Sequence, residues 1–388
     1  MRLSLPCTLP CKPLRSAIAA LTFAALATPA LAHHGFGLYQ ITINKSWSGT
    51  LTRMNLVNPH SYMELDVVDD SGKTLHMRCE MRAATLIKRS GWTADMFKVG
   101  ARVEIDGHPH RDDPTACYVE TFKIDGKAMG RNDQLSATDV DTSERPTHLA
   151  DGQINLNGDW AVEQAVLTLP PDGDRTKAIM LPRSVSADYS AGKITLADIR
   201  ATEPPRARVV YTDAGKAAAD AFNSRSPIDN PWYACKPTSL IRDWTADWPI
   251  NQFQQYTTDA GENVIDITYG LYNFHRRIHI GMKEHPATIE PSYAGHSIGN
   301  WDGDTLVVDT IGFAPGVLSP PTRSSDQMHI VERFSIGSEN SKLALKREYS
   351  VTDPVYLAAP YASYDVMYLS ETPFEEQICK ELTPEFQQ

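Results

Sequence analysis

The sequence predicts a mainly β protein made of two barrels in series, a small five-stranded one and then a larger antiparallel one. Three observations carry this. Short runs that alternate apolar and polar residues, or are rich in β-branched ones, recur along the chain with Gly, Pro, Asn or Asp between them. Helical patterns are scarce. A polar stretch poor in large apolar side chains separates the runs into two sets.

Residues 1–32 read as an export signal and stand apart from the fold. Arg2, Lys12 and Arg15 form its basic start, and Ser16 to Ala32 is an apolar run short for a membrane span. Ala30-Leu31-Ala32 is the small-x-small site at which signal peptidase cuts. No later stretch is apolar for long enough to cross a bilayer, so a periplasmic or secreted protein is expected. The net charge of −11 becomes −14 without the signal, with 34 basic against 48 acidic residues. Such a surface repels phosphate backbones and argues against nucleic acid as a partner. Four cysteines then remain, and an oxidising compartment would pair them. Their positions suggest Cys79–Cys117 and Cys235–Cys379, one of the three connectivities that four cysteines allow.

Residues 33–130 form the first expected domain. SWSGTLTRM, SYMELDVVDD, KTLHMRCEM, ARVEIDGHPH and CYVETFKID read as five strands, with the helical pattern RAATLIKRSGW after the third and a short turn at TADMFKVG. Five strands with a helix between the third and fourth is the order of an OB-like barrel. Residues 131–155 read as a polar linker. Residues 156–388 restart at LNGDW, where Gly-x-Trp opens a strand as in lipocalin-like barrels, whose tryptophan plugs the closed end. One helix is expected at DAGKAAADAFNSR. Seven strand patterns follow, from NQFQQYTT to YDVMYLSE. Seven or more antiparallel strands imply a closed barrel with an internal cavity for a small molecule.

Two clusters of side chains carry chemistry. Cleavage after Ala32 would start the chain at His33-His34, and a terminal amine, its imidazole and one more imidazole make a copper(II) or zinc site. His60 in NPH and His110 in GHPH are the candidates to complete it, and exposed, unrelated histidines are the competing reading. The denser cluster is RRIHIGMKEHPATIEPSYAGHSIGNWDGDTLVVDT, from Arg276 to Thr310. His275, Arg277 and His279 share one face of a strand, and Arg276, Ile278 and Ile280 the other. A histidine beside a carboxylate is the usual acid/base device near neutral pH. His285 and His296 are the acid/base candidates, Asp302 and Asp304 their orienting carboxylates. Arg276 and Tyr293 are candidates to stabilise developing negative charge. Asp302-Gly303 is also a hairpin signal. Trp232, Tyr233 and Tyr272, with His279, are candidates to line a pocket for a flat or apolar molecule. The chain has no Gly-x-Ser-x-Gly elbow, phosphate loop or dinucleotide fingerprint.

AHHGFGLY, NPHSYMELDV, LIKRSGW and GARVEIDGHPHRDD resemble a family of exported bacterial domains known only as of unknown function. LNGDW, the HP at 285–286, GHSIGNWDGDTLVVDTIGF and ERFSI resemble a second, poorly characterised group of secreted bacterial proteins. The chain departs from that group at Gly281-Met282-Lys283, where Asp-Gly-Arg is usual, and at Asp302, where Glu is usual. Neither resemblance implies a reaction. The expectation is therefore an exported protein that binds and transforms a small apolar or aromatic compound by cofactor-independent acid/base chemistry, of lyase, isomerase, hydratase or cyclase type. Periplasmic copper or zinc binding through the N-terminal histidines, or non-catalytic carriage of a small molecule, are the alternatives.

Overall fold

A computed structural model of the chain describes residues 38–376, apart from 59, 70, 131–139, 203–207, 225, 227, 247 and 273. The alternating runs of the first half become β1 (Lys45–Asn55), β2 (Tyr62–Val68), β3 (Thr74–Glu80), helix α1 (Ala84–Arg89), β4 (Arg102–Pro109), β5 (Ala116–Ile124) and β6 (Lys127–Gly130). They hydrogen-bond in the order β3-β2-β1-β4-β5-β6, and a parallel pairing of β3 with β5 closes the first five into the OB-like barrel. The eleven-residue β1 pairs with both β2 and β4, with a register shift between Leu51 and Arg53. A bulge of this kind bends a strand, as a shared wall of a small barrel requires. Leu51, Met63, Leu65, Met77, Val103, Ile105 and Phe122 alternate inward. Ile87 of α1 joins the same core, with Trp92 and Phe97 just beyond the helix. Cys79 and Cys117 lie opposite each other across the closing seam and are disulfide-bonded, with Cα atoms 4.4 Å apart. Cys235 is also in a disulfide; Cys379, its expected partner, lies outside the described residues.

The described end of the polar segment, residues 140–155, runs against the larger barrel. Arg145 donates to the Asn155 carbonyl at 3.0 Å and to that of Asn157, and Ile154 enters the barrel's core. β7 (Gly158–Ala161) follows, then a hairpin of β8 (Ala165–Thr168) and β9 (Ile179–Pro182) with helices α2 (Arg183–Ser190), α3 (Leu196–Thr202) and α4 (Asp213–Asp220). Leu181, Tyr189 and Ile199 give this insertion a small core of its own. Of these three helices only α4 was legible in the sequence, because α2 and α3 are polar and each buries a single large side chain.

The remaining strands are β10 (Asn251–Thr257), β11 (Asn263–Tyr269), β12 (Phe274–Ile280), β13 (His296–Asp302), β14 (Thr305–Ile311), β15 (Gly316–Ser319), β16 (Thr322–Ser324), β17 (His329–Glu339), β18 (Lys342–Thr352) and β19 (Tyr361–Leu369). Eight of them close a nine-stranded barrel with β7, in the order β10-β11-β12-β13-β14-β17-β18-β19-β7. All its neighbours run antiparallel except β12 and β13, which are parallel. Trp160 of the Gly-x-Trp signal is fully buried and donates its indole N–H to the Leu156 carbonyl at 2.9 Å.

The strand count led us to expect an open interior, but large side chains occupy the barrel's centre. Trp244 enters from the segment before β10, its ring centroid 5.5 to 5.7 Å from those of Phe253, Phe334 and Tyr269. Beside these rings runs a chain of buried charges. Arg276 pairs with Glu332, whose other oxygen lies 3.3 Å from Arg347, and Arg347 donates to Asp365 at 2.6 Å. Ser297 and Thr310 accept from Arg276 at 2.9 and 2.8 Å, and the Leu240 carbonyl from Arg347 at 2.7 Å. Charges taken out of water persist only when paired and hydrogen-bonded in this way.

Candidate functional site

Strand alternation on β12, β13, β14 and β17 decides which side chains meet. Arg276, Ile278, Ser297, Thr310 and Glu332 point into the barrel, so His279, His296, Asp309 and His329 point out. Register then brings the outward set to one level. Ile298 lies opposite Asp309, and Asp309 opposite Val331, with His296 and His329 two residues along their own strands. Ile298, Ile311 and Val331 give the patch an apolar floor.

The 281–295 segment, which joins the two parallel strands, folds His285 back onto this patch. Gly312 takes a positive φ of 76°, and a Cβ there would come within 2.5 Å of Ile289 in the returning segment. Gly295, directly before His296, has φ 63°, and a Cβ would meet the Ile311 carbonyl at 2.7 Å. Any other residue at these two positions would push the segment off the strands.

The result is a connected row of imidazoles and carboxylates. His285 Nε2 lies 2.9 Å from Asp309 Oδ1, and His329 Nε2 lies 2.9 Å from Asp309 Oδ2. His285 Nδ1 lies 2.8 Å from His296 Nδ1. His279 stacks on His296 with centroids 4.9 Å apart and planes 10° from parallel, and its Nδ1 bonds Glu262 at the end of the β10–β11 turn.

Electrostatics sorts the protons. Burial alone would raise the Asp309 carboxyl, but hydrogen bonds from His285 and His329 outweigh it and hold the group below its ordinary value. An ionised Asp309 only accepts, so both Nε2 atoms donate to it. Burial, and then the neighbouring His279 and His285, push His296 down, which favours neutral imidazole. The Nδ1–Nδ1 contact holds one proton between the two rings, and the tautomer in which His296 carries it leaves the His296 lone pair on Nε2. That atom has no hydrogen-bond partner among the described residues.

A depressed histidine has a stability signature. Its unfolded form takes up a proton near pH 6.5, before the folded form does, so stability falls as pH drops below about 6.5 toward the folded value. His296→Gln is expected to flatten this limb. Urea midpoints measured from pH 8 to 5 on both proteins check it, and equal slopes would contradict the assignment.

Of the residues expected from sequence, the structure brings together His285, His296 and His279. Asp302 and Asp304 lie at the far end of β13, about 20 Å from His296 at roughly 3.3 Å per residue. There Asp302 accepts from Arg333 at 2.7 Å and Asp304 faces His148 at 3.1 Å, on the hairpin turn that Gly303 makes. Arg276 is on the opposite side of the wall, 2% exposed and committed to Glu332. Tyr293 is exposed on the returning segment. Trp232 donates to Asp243 at 2.8 Å with Arg242 over its ring, and Tyr272 donates to the Trp232 carbonyl at 2.9 Å. Tyr233 is not among the residues whose side chains are described. The carboxylate within hydrogen-bond distance of His285 is that of Asp309. His329 and Glu262 were missed because only strand register reveals their proximity.

His33 and His34 lie outside the described residues. His60 Nδ1 is 2.9 Å from Glu80, which also accepts from the Tyr39 hydroxyl at 2.7 Å, and the Tyr39 ring stands edge-on to His110 at 5.5 Å. His110 Nδ1 accepts the Asp112 and Asp113 amides. Among the described residues, no group of three or more His, Cys, Asp or Glu is arranged to hold a metal ion. No helix among them is long and apolar enough to cross a membrane.

Residues 20–118 match the model of a family described as Family of unknown function (DUF6152), a span that ends within β5, before the larger barrel. No curated protein and no solved structure matches the chain.

Proposed function

We propose that the protein is an exported acid/base enzyme that binds a small, apolar or aromatic compound over the outer face of β12, β13, β14 and β17 and moves a proton on it. The observation that carries this reading is the Asp309–His285–His296 row, with 2.9 and 2.8 Å between successive polar atoms. Substrate gives a proton to His296 Nε2. As it arrives, the Nδ1 proton of His296 passes to His285 Nδ1, and the positive charge comes to rest beside the Asp309 carboxylate. His329 holds the other oxygen of Asp309 and fixes the carboxylate's orientation. Reversing the relay returns the proton at another atom of the substrate, the bookkeeping of an isomerase, or releases it with a leaving group, that of a lyase. The chemistry calls for no organic cofactor. The apolar floor of Ile298, Ile311 and Val331 suits an apolar or flat substrate.

The test is to incubate the protein with a small-molecule extract of its host cells and follow the mixture by mass spectrometry. At least one compound should be converted by the wild type and spared by His296→Ala and by His285→Ala, with turnover lowered roughly 10²- to 10⁴-fold. No conversion, or conversion that both variants retain, would overturn the reading.

A further inference from the structure

The described end of the linker forms one wall of a cleft at the rim of the larger barrel. Residues 149–153 turn tightly, the Leu149 amide donating to the Gln153 carbonyl at 2.8 Å. The turn is fastened at both ends. His148 faces Asp304 on the β13–β14 hairpin, and the Ile154 carbonyl accepts from Gln255 of β10 at 3.1 Å. Between this turn and the β10–β11 hairpin the cleft holds about 230 Å³. An engineered apolar cavity of about 150 Å³ takes up benzene, so the space suits two fused rings.

Carbon makes most of its surface, and what charge it has is negative. Ile265 and Ile267 of β11 belong to the core, so Val264 points out, and at 1% exposure it forms the cleft's floor. Leu149 lines the cleft from the turn and Ile280 from the end of β12. The Tyr256 hydroxyl donates to Asp266 at 2.6 Å and accepts from Arg277 at 2.8 Å, which fixes the ring as a side wall. The rim bonds to itself, Thr257 to Asn263 at 2.7 Å and Asp151 to the Gln153 amide at 3.1 Å. Among the described residues no lysine or arginine lines the cleft, whereas Asp151 does and Glu262 stands next to Asn263 at its lip. An anion there would meet carboxylates with no cation to balance it; a neutral ring meets apolar side chains.

The cleft adjoins the histidines. Tyr256 and His279 flank Val264 on the neighbouring strands, and His279 stacks on His296. Two strand spacings, about 10 Å, separate the floor from the strand that carries His296. We propose that the cleft binds a neutral, two-ring aromatic group, the anchoring end of a substrate whose short side arm passes His279 to His296. That reach to His296 rests on the acid/base reading above; the seat for the ring does not.

Isothermal titration of the full chain with indole tests the seat without any turnover, so it stands or falls apart from the chemistry. One-to-one binding with a Kd on the order of 1 mM or tighter is expected for a ligand of about nine non-hydrogen atoms. Indole-3-carboxylate, the same rings with a negative charge, should bind roughly tenfold more weakly. Leu149→Ala and Tyr256→Ala should each weaken indole roughly fivefold by removing a wall, and thermal melts show that each variant is folded. No saturable indole heat, equal affinity for indole-3-carboxylate, or wild-type affinity in both folded variants would overturn the proposal.

Discussion

Glu332→Ala should be the most damaging single substitution in the larger barrel, lowering stability by about 3–5 kcal/mol. Glu332 is fully buried, and its two oxygens face two different guanidinium groups, Arg276 and Arg347. Truncating it leaves Arg347 with Asp365 but leaves Arg276 beside neutral hydroxyls alone, those of Ser297, Thr310 and Tyr269, an uncompensated charge in a dry interior. The cost is that of the stranded arginine more than of the lost attraction. Urea unfolding followed by tryptophan fluorescence should show a midpoint lowered by roughly 1 M or more, since m-values are a few kcal/mol per M. Glu332→Gln keeps the shape and some of the hydrogen bonding and should fall between. A midpoint for Glu332→Ala within about 0.3 M of wild type would mean that water reaches Arg276.

The second large effect belongs to the small barrel. Replacing Cys79 and Cys117 together by Ala should cost about 4 kcal/mol, the loop-closure estimate for cysteines 38 residues apart. The bond joins β3 to β5 at the one parallel seam of that barrel, where only three residue pairs are in register. Hydrogen exchange resolves the two barrels where a global melt would blend them. Amides of 74–80 and 116–124 should exchange about a thousandfold faster in the double variant, and those of the larger barrel at an unchanged rate. Unchanged protection at the seam would show that packing of Met77, Val103 and Phe122 suffices to close it.

Much of the architecture could be read directly. The five strands of the small barrel each alternate cleanly, and the helix after the third left few orders to choose from. The Gly-x-Trp at residues 158–160 and the hairpin at Asp302-Gly303 also form as their local chemistry dictates. β13 was not recognised as a strand, because HSIGNWD mixes inward Ser297 and Gly299 with outward Ile298 and does not alternate by polarity. The site was half legible for a related reason. His285 and His296 stood out by local density, but closeness in sequence misled for Asp302 and Asp304, since an extended strand carries its two ends apart. His329, 33 positions beyond His296, could be placed only through the register of β14 on β17. Arg276 fell on the inner face because Phe274 and Ile278, two residues to either side, are core residues.

The single parallel pair in the larger barrel has a consequence that is arithmetical before it is chemical. In a closed ring of strands, directions can alternate all the way round only if the number is even; nine is odd, so one neighbouring pair must run the same way. Two strands that run alike cannot be joined by a tight turn, and the chain must travel back the full length of the wall before it starts the second. Here that return takes 15 residues, 281–295, laid over the outside of the sheet, and His285 rides on it. The ninth strand, β7, pairs with β10 and β19 in another sector of the ring, and the parallel pair that the odd number requires falls at β12 and β13, where the crossover covers the histidines.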